Sequence, residues 1–193
     1  QLICSSPGAK LLNELWSQQK PTPPESKKSA ESYIPPIPKL LIIKQQKTIP
    51  VGHGYQLTLI PAPTARWPGG LLGFEETLGL LMSDKFFGAH LCTDQWSETN
   101  RISTEEDRRH YFNCLMTSMA NQVESVVEKL ENLDIRTVAP GHGPAIEASW
   151  RSLINDYTRW GDGYGHSEIK VVLLFASAYG NTATIADSLA NGI

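Results

Sequence analysis

The sequence has no apolar run approaching the roughly eighteen to twenty residues needed to cross a bilayer, so no membrane span is expected. It has no Lys/Arg-rich block either. Seventeen basic residues (Lys+Arg 17) stand against 20 acidic ones, for a formal net charge of −3. Without a basic stripe nothing neutralises a phosphate backbone or an anionic lipid surface, which excludes nucleic acid and the membrane surface as principal partners. Cysteine is scarce: Cys4, Cys92 and Cys114 are 3 in number, far apart, and form no CxxC. Three cannot all pair within one chain. Their apolar neighbours predict reduced thiols in the core and a reducing compartment, and no spacing supports a cysteine-based metal site. An initiator Met and a signal peptide are also lacking. The chain opens at Gln1 in what reads as the end of a strand and stops abruptly at Ile193, so it reads as a fragment.

What is present is ordinary for a globular protein: 193 residues, 40% hydrophobic and 19% charged, enough for one domain or one and a part. After Gln1–Cys4, Ser6 is placed to cap a helix with Pro7 at its first position and Leu11, Leu12, Leu15 and Trp16 on one side. From 17 to 38 the composition turns to Lys, Ser, Glu and Pro, which predicts an extended or mobile surface insertion. Runs at 40–43 and 55–60 read as strands; those at 70–74 and 78–82 read as a hairpin joined by Glu75-Glu76-Thr77. Ser103 and Glu106 form an S-x-x-E capping box ahead of apolar residues spaced as one helical face from Tyr111 to Leu130. A strand at 135–139 runs into Pro140-Gly141-His142-Gly143-Pro144, a turn too rich in Gly and Pro for regular structure. A second amphipathic helix covers 147–160, and the glycines at 161, 163 and 165 predict a flexible joint. The expected domains are 1–160, a linker at 161–168, and 169–193.

The last segment carries the sharpest chemistry. Residues 169–175, Ile-Lys-Val-Val-Leu-Leu-Phe, are almost continuously apolar, as in a strand buried on both faces of a parallel sheet. They lead into Ser177, Ala178, Tyr179, Gly180, Asn181 and Thr182, then a helix through Ile185, Ala186, Leu189 and Ala190. A loop between such a strand and a helix N-terminus aims several backbone N–H groups at one point, where the helix dipole also favours an anion. Ser177, Asn181 and Thr182 add neutral donors, and Gly180 permits close approach. There is no lysine of the NTPase loop and no G-x-G-x-x-G. On the loop alone, phosphate binding and an ordinary strand-to-helix turn both remain open.

The run Ser177-Ala178-Tyr179-Gly180-Asn181-Thr182 resembles the FMN-phosphate loop of flavodoxin-like domains, except that Ala178 stands where many flavodoxins have a hydroxyl. Upstream, Arg66-Trp67-Pro68, Ser83-Asp84-Lys85-Phe86-Phe87-Gly88-Ala89-His90 and Pro140-Gly141-His142-Gly143 resemble three landmarks of flavodiiron proteins. The resemblance implies an α/β chain: the C-terminal part of a metallo-β-lactamase-like αββα sandwich, incomplete at its N-terminus, followed by the truncated start of a flavodoxin-like doubly wound parallel sheet. It implies FMN on residues 177–182 and a diiron site in the first domain. The family's early H-x-E-x-D-H motif has no counterpart here. Where iron-binding members carry a His before Trp-Pro and an Asp three residues before Phe-Gly, this chain has Arg66 and Lys85. Neither side chain has a lone pair to offer while protonated. Asp84, in an extended stretch, would point to the opposite face from Lys85. His142 is the one visible position where a family metal ligand survives; His53 and His90 are expected in the core or packed around the metal ligands, His110 and His166 at the surface.

Together the two substitutions raise the local charge by about three units, which argues against a full diiron centre. The ligand-substituted pattern resembles flavodiiron proteins of cyanobacteria and chloroplasts. That resemblance implies an oxidoreductase passing electrons from NAD(P)H through FMN to O₂, giving water, in a cyanobacterial cytoplasm or a chloroplast stroma. It also implies a longer chain and an oligomer, homomeric or with an iron-ligand-retaining homologue. Two rivals follow: a metal-free partner subunit that stabilises or regulates such a homologue, and a lactamase-like hydrolase. The hydrolase would need a His/Asp cluster that this chain lacks.

Overall fold

The computed structural model describes residues 1–18, 38–64, 66–98, 100–165 and 171–192. The proline-rich stretch lies almost wholly outside them, as do His166, Ile169 and Lys170. In chain order the elements are β1 (Leu2–Ser5), α1 (Ser6–Ser17), β2 (Leu40–Ile43), β3 (Lys47–Gly52), β4 (Tyr55–Pro61), β5 (Leu71–Glu75), β6 (Leu80–Asp84), α2 (Arg101–Leu115), a 3-10 turn (Thr117–Met119), α3 (Ala120–Glu131), β7 (Thr137–Pro140), α4 (Trp150–Gly165) and α5 (Asn181–Ala190).

Strands β1 and β2 pair in parallel, and β3-β4-β5-β6-β7 form a second sheet in sequence order. Its first three pairings are antiparallel and made by hairpins, whereas β6 and β7 are parallel, with α2 and α3 in the crossover that a parallel pair requires. Period-two alternation then builds the layers. Ile60, Leu72, Phe74 and Leu81 face α2, α3 and α4 in the main core. Leu59, one residue from Ile60, is buried outside that cluster, on the strand that also contacts β2. With α1 lying against β1 and β2, the layers run α–β–β–α, as expected.

Several expected boundaries are corrected. Strand β3 is an addition to the expected elements: Lys-Thr-Ile-Pro-Val-Gly is polar and carries Pro50, the composition of an edge strand, and among the described residues it pairs with β4 alone. Helix α1 is capped by Ser5, whose hydroxyl accepts from the Gly8 N–H at 3.4 Å, and Leu11 and Leu15 on its flank are more than half exposed. Helix α2 starts at Arg101 rather than at the Ser103 box. Asn100 is extended (φ −154°) and its side chain accepts from the Ile102 N–H at 2.9 Å, satisfying the orphan donor first. The apolar period from Tyr111 to Leu130 is carried by two helices, not one. At the break the Thr117 hydroxyl donates to the Phe112 carbonyl at 3.4 Å, competing with the helical bond. Helix α4 continues to Gly165, so 161–165 are helical and not a flexible joint. Gly161 packs against α3, where an added Cβ would lie 3.6 Å from the Ala120 methyl, and packing overrides glycine's weak propensity.

The β5–β6 turn shows how a buried charge is accommodated. The Glu75 carboxylate accepts from the N–H groups of Leu78 at 2.7 Å and Thr77 at 3.2 Å. Burial pushes its pKa up, but these backbone donors prevail and hold it below the ordinary carboxylate value.

Candidate functional site

Three segments distant in sequence meet at the C-terminal end of β6: the loop holding Arg66 and Trp67, the turn after β6, and the turn after β7. Asp84 and Phe87 adopt left-handed backbone conformations (φ 47° and 62°), a costly state for non-glycine residues that persists only where the surroundings enforce it. Here the enforcement is visible. The Ser83 hydroxyl donates to the Phe86 carbonyl at 2.8 Å, and the Phe87 N–H donates to the buried Tyr157 hydroxyl at 2.7 Å. The turn after β7 is stitched on by Gly141 N–H to Asp84 O at 2.7 Å and Ala89 N–H to His142 O at 3.1 Å. Gly141 comes so close that a Cβ would lie 2.9 Å from the Asp84 carbonyl oxygen, which explains glycine at that position.

The result brings the resemblance-derived positions together. Lys85 Nζ lies 3.2 Å from His142 Nε2, 3.7 Å from Asp84 Oδ1, and 4.8 Å from the centroid of the Trp67 ring. The exposed Arg66 guanidinium sits 5.4 Å from the same ring. An ammonium can only donate, so the bond to His142 uses the lone pair on Nε2, the electrons a metal would otherwise take. Asp84 belongs to this cluster too. The expectation that it points to the opposite face assumed an extended backbone, and its left-handed turn overturns that.

One participant carried no signal in the sequence beyond its place on the apolar face of α2. Tyr111 is fully buried, its ring set over Gly88, where an added Cβ would meet the ring carbon bearing oxygen at 2.7 Å. Its ring centroid is 6.2 Å from that of His142 and 4.8 Å from that of His90. Its hydroxyl has no hydrogen-bond partner among the described residues. Burial first, then the charge of Asp84, push its pKa up to about 12, so it stands as a neutral donor beside Asp84.

Behind the pocket, Arg108 locks the loops. It is 1% exposed, its Nη2 lies 2.9 Å from Glu98 Oε2, and its other nitrogens reach Glu98 and the carbonyl of Phe87. Glu98 also receives the hydroxyls of Thr104 and Ser149, and Arg108 Nη2 reaches Pro144 O at 3.5 Å.

The second locus is the loop 177–182. Residues 171–175 form no strand and are exposed, Leu174 to 91%, which corrects the expected buried strand. A strand apolar on both sides requires paired neighbours, and these five residues pair with none of the described ones. The turn into the helix does form. Gly180 is left-handed (φ 82°) and caps α5, and the first helical bond runs from the Thr184 N–H to its carbonyl at 3.0 Å. The N–H groups of Asn181, Thr182 and Ala183 precede that bond. Gly180 makes no side-chain cap, and a Cβ on it would meet nothing within 4 Å. The turn is open, and the N–H groups ahead of the first helical bond are a donor set compatible with a phosphate monoester.

The lone histidines and cysteines fall differently from expectation. His53 is exposed at the tip of the β3–β4 hairpin with φ 52°, and His90 is exposed rather than in the core. Cys92 and Cys114 are exposed and Cys4 half-buried, so none of the thiols is in the core. On α2 the inward face is taken by Tyr111, Phe112 and Leu115, which turns Cys114 outward. His110 is at the surface, as expected. No helix among the described residues is long and apolar enough to cross a membrane.

No protein-family model matches the chain. It is 43% identical over 154 residues, 80% of its length, to a Nostoc protein named diflavin flavoprotein A 5. It is 35% identical over 192 residues, all of its length, to diflavin flavoprotein A 3 of Synechocystis. The chain spans 27% and 30% of those two relatives. Among solved structures it superposes on the metal-soaked Flv1 flavodiiron core from Synechocystis with a TM-score of 0.73 at 37% identity, covering 99% of this chain and 44% of that one.

Proposed function

The chain belongs to the flavodiiron proteins, and from that membership we propose that it is part of an oxidoreductase subunit that relays electrons through FMN toward O₂. The reading extends to NAD(P)H as the electron source, water as the product, a photosynthetic electron sink as the role, and a cyanobacterial cytoplasm as the setting. The proposed division is a lactamase-like domain over 1–160 and an FMN domain opening at 169, joined through 161–168, of which 161–165 continue α4. The observation that carries the proposal is the contrast between the two loci: an open turn with N–H groups ahead of the first bond of α5, and a cluster in which Lys85 takes the lone pair of His142.

Bound FMN would supply one- and two-electron transfer. Residues 177–182 of this chain would hold its phosphate, through the N–H groups of Asn181 and Thr182 and the hydroxyls of Ser177 and Thr182, with Ala178 and Tyr179 contributing backbone. A hydrogen bond to a charged group contributes roughly 1.5–3 kcal/mol, so Thr182→Ala in the full-length protein is expected to weaken FMN binding about tenfold or more. Fluorescence titration checks this, and an unaltered affinity would remove Thr182 from the site.

The pocket at Lys85 does not fit a metal. Arg66 and Lys85 offer no lone pair, and the Nε2 of His142, proposed from the resemblance as a ligand, is engaged by Lys85. No step is therefore assigned to iron in this chain. Oxygen reduction would take place on a homologue that retains its iron ligands, in a mixed oligomer with this subunit as the flavin-bearing relay. Oxygen uptake with NAD(P)H, with peroxide assayed, distinguishes the cases for each full-length subunit and for the co-purified pair. The pair is expected to consume oxygen without peroxide, and this subunit alone to consume it slowly with peroxide released. Water formation by this subunit alone, iron-free and as fast as the pair, would refute the relay.

The Lys85–His142 bond also favours a second reading, a metal-free subunit that stabilises or regulates its partner without electron transfer. In that case Thr182→Ala would lower FMN content and leave oxygen uptake by the pair unchanged.

A further inference from the structure

Helix α2 carries His110 and Cys114 four residues apart, so both project from the same outward flank while Tyr111, Phe112 and Leu115 face the core. His110 Nε2 and Cys114 Sγ are already 3.7 Å apart. A third donor arrives from 20 residues upstream: the ring of His90 stands edge-on to that of His110, 5.6 Å between centroids. One ligand atom from each of the three lies within 4.8 Å of the others, and all three residues are exposed.

We propose that His90, His110 and Cys114 form a surface site for a borderline-soft divalent metal ion, zinc above all, separate from the pocket of Lys85 and His142. Two imidazoles and a thiolate are a donor set that zinc accepts, at about 2.0–2.1 Å to nitrogen and about 2.3 Å to sulfur. Tetrahedral geometry at those lengths separates ligand atoms by about 3.4–3.6 Å. The His110–Cys114 pair, at 3.7 Å, comes close to that spacing, and the set as a whole, within 4.8 Å, has to draw in by about 1 Å to close on the ion. The site is also held in place. The ring of His90 packs against the buried Tyr111, and its neighbour Ala89 is bonded through its N–H to the His142 carbonyl. Exposure leaves the entry path open and a fourth position for water. Binding converts the Cys114 thiol to a thiolate, releasing one proton to solvent, with no change in oxidation state.

Metal-stripped full-length protein titrated with Co²⁺ tests this, since thiolate-bound tetrahedral cobalt shows a sulfur-to-metal charge-transfer band. One Co²⁺ per chain with that band is expected, displaced by Zn²⁺. Cys114→Ser should abolish the band, and His90→Ala or His110→Ala should weaken cobalt binding tenfold or more. Cys92→Ser and His142→Ala should leave the band in place. Absence of the band in the unaltered protein, its survival in Cys114→Ser, or its loss in Cys92→Ser or His142→Ala would overturn the assignment. None of these outcomes depends on FMN or on oxygen uptake.

Discussion

Replacing Arg108 with methionine is expected to destabilise the lactamase-like part of the protein by about 3–5 kcal/mol, the usual consequence of removing one partner of a buried ion pair. The side chains of Arg108 and Glu98 are 1% and 4% exposed, so the carboxylate left behind would be stranded away from water. The carbonyls of Phe87 and Pro144 would lose their guanidinium donor in the same step. Those two residues end and follow the turns that carry Lys85 and His142, so the loss should also loosen the pocket. The urea midpoint of the transition that unfolds this region is the measurement. Pairing Arg108→Met with Glu98→Leu should recover part of the loss, because a neutral apolar pair leaves no buried charge, although the hydroxyls of Thr104 and Ser149 would each lose their bond to Glu98. A single-variant loss below about 1 kcal/mol would show that solvent reaches the pair.

The full-length protein grown in iron-replete medium is expected to contain well under two irons per chain. A divalent ion about 4 Å from a lysine ammonium is repelled by about 2 kcal/mol in a fully aqueous dielectric and about 8 kcal/mol at the effective dielectric of a protein surface. Even the lower figure weakens binding by more than tenfold, before counting the absent ligands. Lys85, with its side chain 20% exposed and directed at His142, sits between those limits. The variant carrying Arg66→His and Lys85→Asp removes both cations and restores an imidazole and a carboxylate, and should raise iron content clearly above that of the unaltered protein. Metal analysis of the two proteins side by side decides it. Two tightly bound irons in the unaltered chain would return the protein to the ordinary diiron class.

Much of this was legible because it is local. The turn into α5 needs a glycine, short polar residues and a following helix, all within a few consecutive residues, and Ser177 to Thr182 show that order in the bare sequence. Arg66 and Lys85 were equally readable, since a side chain without a lone pair is disqualified as a ligand wherever the fold puts it. The helical faces of α2, α3 and α4 followed from period alone. Tertiary structure decided what depends on residues far apart or on backbone states that residue type does not announce. The left-handed turn at Asp84, enforced by Ser83, Tyr157 and Gly141, swings its carboxylate to the side of Lys85, where strand alternation had placed it opposite. Packing against Ala120 carried α4 through Gly161, and a missing set of sheet partners left 171–175 without a strand. The contact of Lys85 with His142 joins residues 57 apart, and His90 meets the His110–Cys114 pair across a further 20. The residue types and their charges are properties of the chain; which of them share a few ångströms of space is a property of the packed sheets and helices.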